Sequence, residues 1–186
     1  MQPPAGRSVC VFCGSRPGGD PAFAAAATAL GAGLAGAGLR LVYGAGDVGL
    51  MGAVARAAVA AGGRTLGVIP AHLVPREARG RPPADAVVTE TMHERKKVMF
   101  MNADAIVALP GGPGTLDELF EVLTWRQLGL HAKPLLLLNV NGYWDPLIAL
   151  LAGVVGAGFA DDDFLDFLRP HADVPALMAD LGTRLG

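Results

Sequence analysis

The sequence predicts an α/β protein, a doubly wound parallel sheet with helices on both faces. Short apolar runs alternate with helical patterns over the whole chain, as strands and helices do in such folds. These runs are continuous rather than alternating in polarity, as a parallel sheet covered on both faces requires. A chain of 186 residues, 52% hydrophobic and 17% charged, is long enough for one domain with a buried core.

The elements follow one another in regular order. Six apolar runs, beginning with SVCVFC and ending with PLLLLN, predict the strands Ser8–Cys13, Arg40–Tyr43, Thr65–Ile69, Ala86–Thr89, Ala105–Leu109 and Pro134–Asn139. The helices are predicted between and after them, at about 21–36, 49–61, 92–102, 115–128, 144–156 and 174–184. We find no internal repeat and no linker, so we expect a single Rossmann-like domain over residues 1–186. The one long connection, 70–86, is rich in proline and charge, and such connections are often functional.

Composition excludes several classes of protein. A net charge of −2 argues against a partner that is nucleic acid or an anionic membrane. Cys10 and Cys13 have the C-x-x-C spacing, but residues three apart on a strand point to opposite faces, so we expect two buried free thiols and no metal site. Free thiols, together with no targeting segment and no apolar run of spanning length, predict a cytoplasmic protein.

The first glycine-rich turn, in YGAGDVGLMG, contains the G-x-G-x-x-G pattern of dinucleotide-binding proteins. That interpretation also needs an acid about twenty residues further on, at the end of the next strand. Pro70 stands there instead, and the motif follows the second strand rather than the first. The turn is therefore expected either to approach some ligand closely or to allow tight strand–helix packing.

The second glycine-rich turn, Gly111–Gly114, separates the fifth strand from a helix with Asp117 and Glu118 near its start. Free amides and the helix dipole make such a turn a phosphate site. Thr115 and Glu118 have the spacing of a capping box, so Glu118 is either a cap or a catalytic acid. We favour catalysis, because a cap needs no glycine-rich turn and a basic cluster, residues 93–97, lies upstream. A phosphate site, a guanidinium and a carboxylate suggest a phosphorylated sugar substrate.

These motifs resemble the Lonely Guy family of cytokinin-activating phosphoribohydrolases, often mislabelled as lysine decarboxylases. The resemblance rests on VFCGSRPG (11–18), YGAGDVGLMG (43–52), GVIPAHLVPRE (67–77), MHERKKVM (92–99), PGGPGTLDE (110–118) and TWRQLGLHAKPLLLLN (124–139). It implies hydrolysis of the N-glycosidic bond of an N6-substituted adenosine 5′-monophosphate, with no cofactor and no metal. It also implies a homodimer or a larger assembly of dimers, with active sites near the subunit contact.

The family's site residues carry over position by position. The resemblance implies that Arg95 and Glu118 are catalytic, with Arg95 holding developing charge and Glu118 orienting water or stabilising a ribosyl cation. The implied substrate-binding residues are Glu77, Lys96, Gly111, Gly112, Pro113, Gly114, Thr115, Asp117 and Thr124. The chain departs from the family pattern at Arg16, Ala45, Asp47 and Pro113, and the tail from Asp161 onward matches poorly.

Two alternatives remain open at this stage. The same chemistry on AMP or other nucleoside monophosphates fits the motifs equally well. A non-catalytic molybdenum-cofactor carrier belongs to a different class, and the Arg95–Glu118 pair argues against it, because a carrier needs no acid placed for hydrolysis. A pyridoxal-dependent decarboxylase would need a lysine, and Lys96, Lys97 and Lys133 lie in no recognisable pyridoxal site.

Overall fold

The computed structural model describes residues 6–77, 83 and 85–186. The strands are β1 (Ser8–Phe12), β2 (Arg40–Tyr43), β3 (Thr65–Pro70), β4 (Ala86–Thr89), β5 (Ala105–Ala108), β6 (Leu135–Leu138) and β7 (Leu168–His171). The helices are α1 (Pro21–Gly36), α2 (Gly49–Ala60), α3 (Val74–Glu77), α4 (Met92–Met101), α5 (Pro113–Gln127), α6 (Asp145–Gly156) and α7 (Val174–Leu185). Short 3-10 turns cover Ala71–Leu73, Val140–Gly142 and Asp162–Phe167.

All strand pairs described are parallel, in the order β4-β3-β2-β1-β5-β6-β7. The chain builds outward from β1 to β4 on one side, then returns and builds from β5 to β7 on the other. The direction reverses between β1 and β5, and the carboxyl ends of strands at such a switch point form the usual ligand crevice of an open α/β sheet. The predicted fold class is confirmed.

Helices cover both faces of the sheet because the inner strands β1, β5 and β6 are buried throughout, whereas the edge strands β4 and β7 are partly exposed. Val9 and Val11 of β1 pack in a core with α1, α2 and α7. Cys10 and Phe12 point the other way, into a core with α4, α5 and α6. Cys13 lies in the first core, so the two thiols occupy opposite sides of the sheet, and both are buried and free. The prediction of two buried free thiols on opposite faces of the strand is confirmed.

Three elements differ from the sequence prediction by more than one residue: the short helix α3 was not predicted, and β7 and α5 differ as follows. The edge strand β7 was missed because LRPH is short and contains Pro170, which is tolerated only where a strand lies at an edge. Helix α5 begins at Pro113, two residues earlier than predicted, with Gly112 as its N-cap and no capping side chain. Proline at the first helical position has its φ angle already set for the helix. Thr115 thus lies inside the first turn rather than at the N-cap. The interpretation of Thr115 and Glu118 as a capping box is therefore wrong.

The connection from Pro70 to Ala86 is partly ordered as short helix. The turn Ala71–Leu73 leads directly into α3, whose last residue is Glu77. The backbone of α3 is held to the loop after β2, since the Asp47 amide donates to the Glu77 carbonyl at 2.9 Å. The remainder of the connection, residues 78–82 and 84, lies outside the described residues. The backbone at Glu77 is therefore held in place, and a functional role for this connection stays a prediction.

Candidate active site at the sheet switch point

A cavity of about 620 Å³ opens at the carboxyl ends of β1 and β5. Two turns form most of it, residues 13–18 after β1 and 110–115 at the start of α5. Charged lining side chains come from Arg16, Glu77, Arg95 and Glu118, which four different segments supply. An apolar wall is formed by Leu50, Met51, Leu73 and Met92, and an aromatic edge by Phe23 and Tyr143. The cavity therefore joins backbone amides, charge and apolar surface in one crevice.

The start of α5 presents backbone amides of the kind that bind anions. Its N-cap is Gly112, and Pro113 has no amide. Among the described residues, no group accepts a hydrogen bond from the amides of Gly112, Gly114 or Thr115. Unpartnered amides at a helix start carry the positive end of the helix dipole and bind phosphate or carboxylate groups. These three amides line the cavity and form what we call the amide cradle.

The first glycine-rich turn is closed to a ligand phosphate by comparison. The amides of Leu50 and Met51, at the start of α2, both donate to the Gly14 carbonyl, at 3.1 and 3.3 Å. A β-carbon on Gly49, whose φ is +60°, would collide with the Ser15–Arg16 backbone. This turn therefore serves tight packing between α2 and the loop after β1. Asp47, one of the departures from the family pattern, does not line the cavity.

Arg95 is held in place by three parts of the chain. It lies in the first turn of α4, which a capping box between Thr91 and Glu94 begins. Only 4% of its surface is exposed. Its guanidinium donates from Nε to the Val68 carbonyl at 3.2 Å and from Nη2 to the Gly44 carbonyl at 2.8 Å. Nη2 also lies 3.4 Å from the Glu77 carboxylate. A β-carbon on Gly44 would collide with this guanidinium, so a glycine is required there.

Glu118 is half-buried on α5 and lines the same cavity. Burial raises the pKa of its carboxyl to about 7, while the positive charges of Arg95 and Lys96 oppose the shift and Asp117 and Glu77 add to it. A carboxyl group with a pKa near neutrality exchanges protons readily at physiological pH, as general acids and bases do. Such perturbed groups in a cleft are typical of catalytic sites.

Lys96, Asp117 and Thr124 lie outside this lining. The Lys96 ammonium pairs with Asp117 at 3.0 Å and with Glu121 at 3.2 Å, and so ties α4 to α5. Burial alone would lower the pKa of Lys96, but hydrogen bonds and charge from the two carboxylates raise it above its ordinary value. Thr124 is exposed on α5. The other predicted residues, Glu77, Arg95, Gly111–Thr115 and Glu118, do line the cavity.

Sequence reasoning missed the aromatic edge and the apolar wall. Tyr143 comes from the loop after β6, and its hydroxyl donates to the Gly111 carbonyl at 2.6 Å. Its position just after a strand, at the carboxyl edge of the sheet, was the available signal. The wall residues carry no such signal, since Met51, Leu73 and Met92 have the pattern of ordinary core residues.

No lysine lines the cavity within the described ranges. Lys133 donates to the carbonyls of Phe100 and Ala103, each at 2.6 Å, and Lys96 is ion-paired. The described residues also contain no group of three or more His, Cys, Asp or Glu side chains placed to hold a metal ion. Within these same residues, no helix combines the length and hydropathy needed to cross a bilayer.

Fold and site together define a Rossmann-like α/β protein. At the switch point of its sheet lie a helix start with free amides, a buried arginine and a carboxyl group whose pKa is near 7. A family model described as "Possible lysine decarboxylase" matches residues 51–181, and so extends into the tail beyond Asp161. The chain belongs to this family. Its similar members carry the name cytokinin riboside 5′-monophosphate phosphoribohydrolase, which confirms the resemblance inferred from the motifs.

Three comparisons illustrate the relationship. A probable cytokinin riboside 5′-monophosphate phosphoribohydrolase of Oryza sativa subsp. japonica is 50% identical over 155 residues, 83% of this chain and 67% of the relative. A second Oryza sativa enzyme of that name is 48% identical over 157 residues, 84% of this chain and 65% of the relative. One from Arabidopsis thaliana is 42% identical over 172 residues, 92% of this chain and 81% of the relative. The chain thus spans about two thirds of the two Oryza sativa relatives.

Among solved structures, the molybdenum cofactor carrier protein of Chlamydomonas reinhardtii has a TM-score of 0.70. The alignment covers 97% of this chain and 98% of the carrier, at 22% sequence identity. A likeness at that level of identity concerns the fold alone.

Proposed function

We propose that this protein is an N-glycosyl hydrolase that releases a free base and ribose 5-phosphate from an N6-substituted adenosine 5′-monophosphate. The observation that carries the proposal is one cavity in which Glu118, with a pKa of about 7, lies beside the buried Arg95 and the amide cradle. The substrate class comes from the similar family members, whose names specify a cytokinin riboside 5′-monophosphate.

Each group has a defined role in the reaction. The cradle amides bind the 5′-phosphate, which places the ribose across the middle of the cavity. As the bond between C1′ and the base nitrogen breaks, its electron pair leaves with the base and C1′ becomes cationic. The Glu118 carboxylate stabilises this centre and takes a proton from the water that adds to C1′. This proton is then passed to the base nitrogen, so the base leaves neutral and Glu118 is ionised again. Arg95 provides fixed positive charge that offsets negative charge developing on the departing base.

The remaining predicted residues support binding. Glu77 lies against Arg95 and lines the cavity, where it accepts hydrogen bonds from the nucleotide. The Lys96–Asp117 pair holds α4 against α5, and so fixes the relative placement of Arg95 and Glu118. The apolar wall at Met51, Leu73 and Met92 provides a surface for the base and its N6 substituent. Thr124 is exposed on α5 and outside the cavity, so its role in substrate binding stays a prediction.

We also propose that the protein acts as a homodimer in the cytoplasm. Leu128, Leu130 and Met101 are each about two-thirds exposed and lie near the ends of α5 and α4, and Phe120 is 38% exposed. The two helices are joined by the Phe100–Trp125 ring contact at 5.0 Å, and we propose that these exposed apolar side chains together bind a second copy. The free buried thiols are typical of a reducing compartment. Neither nucleic acid nor a membrane is proposed as a partner.

Base release provides the direct test. Purified protein is incubated with AMP and, separately, with isopentenyladenosine 5′-monophosphate, and products are separated by reverse-phase chromatography. We expect free isopentenyladenine well in excess of free adenine, and only a small residual release from the Glu118→Gln variant. Comparable release of both bases would establish a general nucleoside monophosphate hydrolase instead. Absence of base from both substrates would contradict the proposal and favour a carrier.

A further inference from the structure

Tyr143 occupies an unusual position for an exposed aromatic residue. It is 38% exposed and lines the cavity, yet its hydroxyl is engaged with the protein backbone rather than with solvent. The bond runs to the carbonyl of Gly111, at 2.6 Å, directly before the N-cap of α5. This short contact joins the loop after β6 to the glycine-rich turn that forms the amide cradle.

The ring of Tyr143 is itself held from two sides. It meets the edge of Phe23 with centroids 5.4 Å apart and packs at 5.0 Å on Trp144, which is 1% exposed. The loop that carries it is tied to the start of α1, because Asn141 donates to the Asp20 carboxylate at 2.8 Å. Loops after β1, β5 and β6 therefore meet at this tyrosine, and its hydroxyl has a defined direction.

The backbone of the glycine-rich turn is fixed through its carbonyls. The Pro110 carbonyl accepts from the Gly14 amide at 3.0 Å, and the Gly112 carbonyl accepts from the Leu116 amide at 3.1 Å. Between them, the Gly111 carbonyl accepts from Tyr143. Among the described residues, Tyr143 is thus the one side chain that holds a carbonyl of this turn.

The orientation of the Gly111 carbonyl determines the orientation of an amide. In a planar trans peptide the C=O and N–H bonds point in opposite directions, so the Gly112 amide points away from the Tyr143 hydroxyl. Glycine on both sides of this peptide gives little conformational resistance to rotation. A rotated peptide would turn its carbonyl oxygen toward the bound anion, where it would repel the phosphate instead of donating to it.

We propose that Tyr143 is a positioning residue for the 5′-phosphate, acting through the Gly111–Gly112 peptide. Its hydroxyl holds that peptide with the amide directed into the cradle before substrate arrives, so that no reorientation is needed on binding. This inference rests on the proposed function, since it assumes that the cradle binds the phosphate of a nucleotide. It adds a residue that neither sequence motif contains.

The test compares a nucleotide with its nucleoside. AMP and adenosine are titrated calorimetrically into the full chain carrying Glu118→Gln, which prevents turnover, with and without Tyr143→Phe. We expect Tyr143→Phe to weaken AMP binding about tenfold, the typical effect of one hydrogen bond, and to leave adenosine binding unchanged. The matched control is Tyr43→Phe, which removes the hydroxyl of the only other tyrosine, buried on β2 and outside the cavity.

Each outcome separates the two proposals. If the protein without Tyr143→Phe binds AMP no better than adenosine, the phosphate site fails and the proposed function with it. If AMP is preferred and Tyr143→Phe leaves that preference unchanged, only the role of Tyr143 is overturned. Equal weakening of both ligands would likewise overturn it, because a general packing effect does not distinguish the phosphate.

Two further readouts separate positioning from a structural role. In the otherwise unaltered enzyme, Tyr143→Phe should raise KM for the nucleotide several-fold with little change in kcat. The reason is that the phosphate contact stabilises the bound substrate and the transition state equally. In spectra of protein labelled with ¹⁵N-glycine, the Gly112 amide signal should move in Tyr143→Phe and stay in place in Tyr43→Phe. An unmoved Gly112 signal would contradict the proposal even if affinity changed.

Discussion

The role of Glu118 depends on where helix α5 begins, and a difference of two residues decides whether Glu118 can cap the helix. Thr115 and Glu118 match the capping-box spacing, but α5 begins at Pro113, so Glu118 is the sixth helical residue and cannot reach the N-cap amide. Its side chain instead lines the cavity, where burial raises its pKa to about 7. Glu118 could be singled out from the sequence because it follows a glycine-rich turn at a helix start, whereas the role of Arg95 was implied by the resemblance to the family. Their exact environment could not, because it depends on segments distant in the chain.

Replacing Glu118 by glutamine should remove most of the activity without loosening the fold. Glutamine keeps the size and polarity of the side chain but can neither carry the negative charge nor accept a proton, so we expect base release to fall roughly 10²–10⁴-fold. Melting temperature should stay the same or rise. The matched control is Glu90→Gln, at an exposed position outside the cavity, which should retain activity within a few-fold. Full activity in Glu118→Gln would exclude its catalytic role.

The raised pKa of Glu118 makes two pH dependences predictable. As the proton acceptor, Glu118 must be ionised, so kcat/KM should rise with pH and level off above about 7. The folded protein binds this proton more tightly than the unfolded chain, so the contribution of Glu118 to stability should decrease as pH rises from about 4.5 to about 7. Chemical denaturation across this range should show a decrease that Glu118→Gln lacks. A kcat/KM that falls across neutral pH would instead indicate a protonated, acid role.

At the scale of elements, α4 contains the capping box that α5 does not. The sequence Thr91-Met92-His93-Glu94 has the same spacing as Thr115–Glu118, and here the Thr91 side chain accepts from the Glu94 amide while Glu94 accepts from the Thr91 amide. Spacing alone cannot distinguish the two cases. Pro113 could have done so, since proline at the first helical position fixes the start of α5 upstream of Thr115.

Removing the Thr91 cap of α4 should lower the stability of the protein. Thr91→Ala should lower the free energy of unfolding by about 1 kcal/mol, because it leaves the Glu94 amide without its acceptor. The control is Thr183→Ala in α7, whose hydroxyl bonds only to the Ala179 carbonyl within the helix. Urea denaturation of both variants measures the difference. An equal change in the two would mean that the cap contributes nothing beyond helix propensity.

At the scale of the whole molecule, the sheet order explains why the cavity lies where it does. The reversal between β1 and β5 brings residues 13–18 next to residues 110–118, although about a hundred positions separate them in sequence. Strand–helix alternation predicted the fold class, because each buried run is recognisable locally. The strand order was not predictable, because it does not depend on a local sequence pattern. The edge strand β7 was not predictable because Pro170 is untypical of a strand.

The apolar surface near the ends of α4 and α5 should control assembly. Leu130→Asp places a charge on a side chain that is 68% exposed in one copy and buried in the proposed dimer. We expect light scattering to report a dimer for the natural sequence and a monomer for this variant. Leu150→Asp, on an equally apolar but separate position of α6 that is 58% exposed, should stay dimeric. A monomeric natural protein would contradict the proposed assembly.

Arg95 is fixed by two uncharged carbonyls and one carboxylate from three different segments. Its positive charge is therefore already in position before a nucleotide enters, and the surrounding dipoles need no reorganisation as charge develops during bond cleavage. Lysine could not replace it, because a single ammonium lacks the planar spread of donors that reaches Val68, Gly44 and Glu77 together. Alanine would leave those acceptors buried without a donor, so loss of activity should be accompanied by loss of stability. The ordering of this buried cation is thus completed during folding, and in the proposed reaction it does not have to be repeated at each turnover.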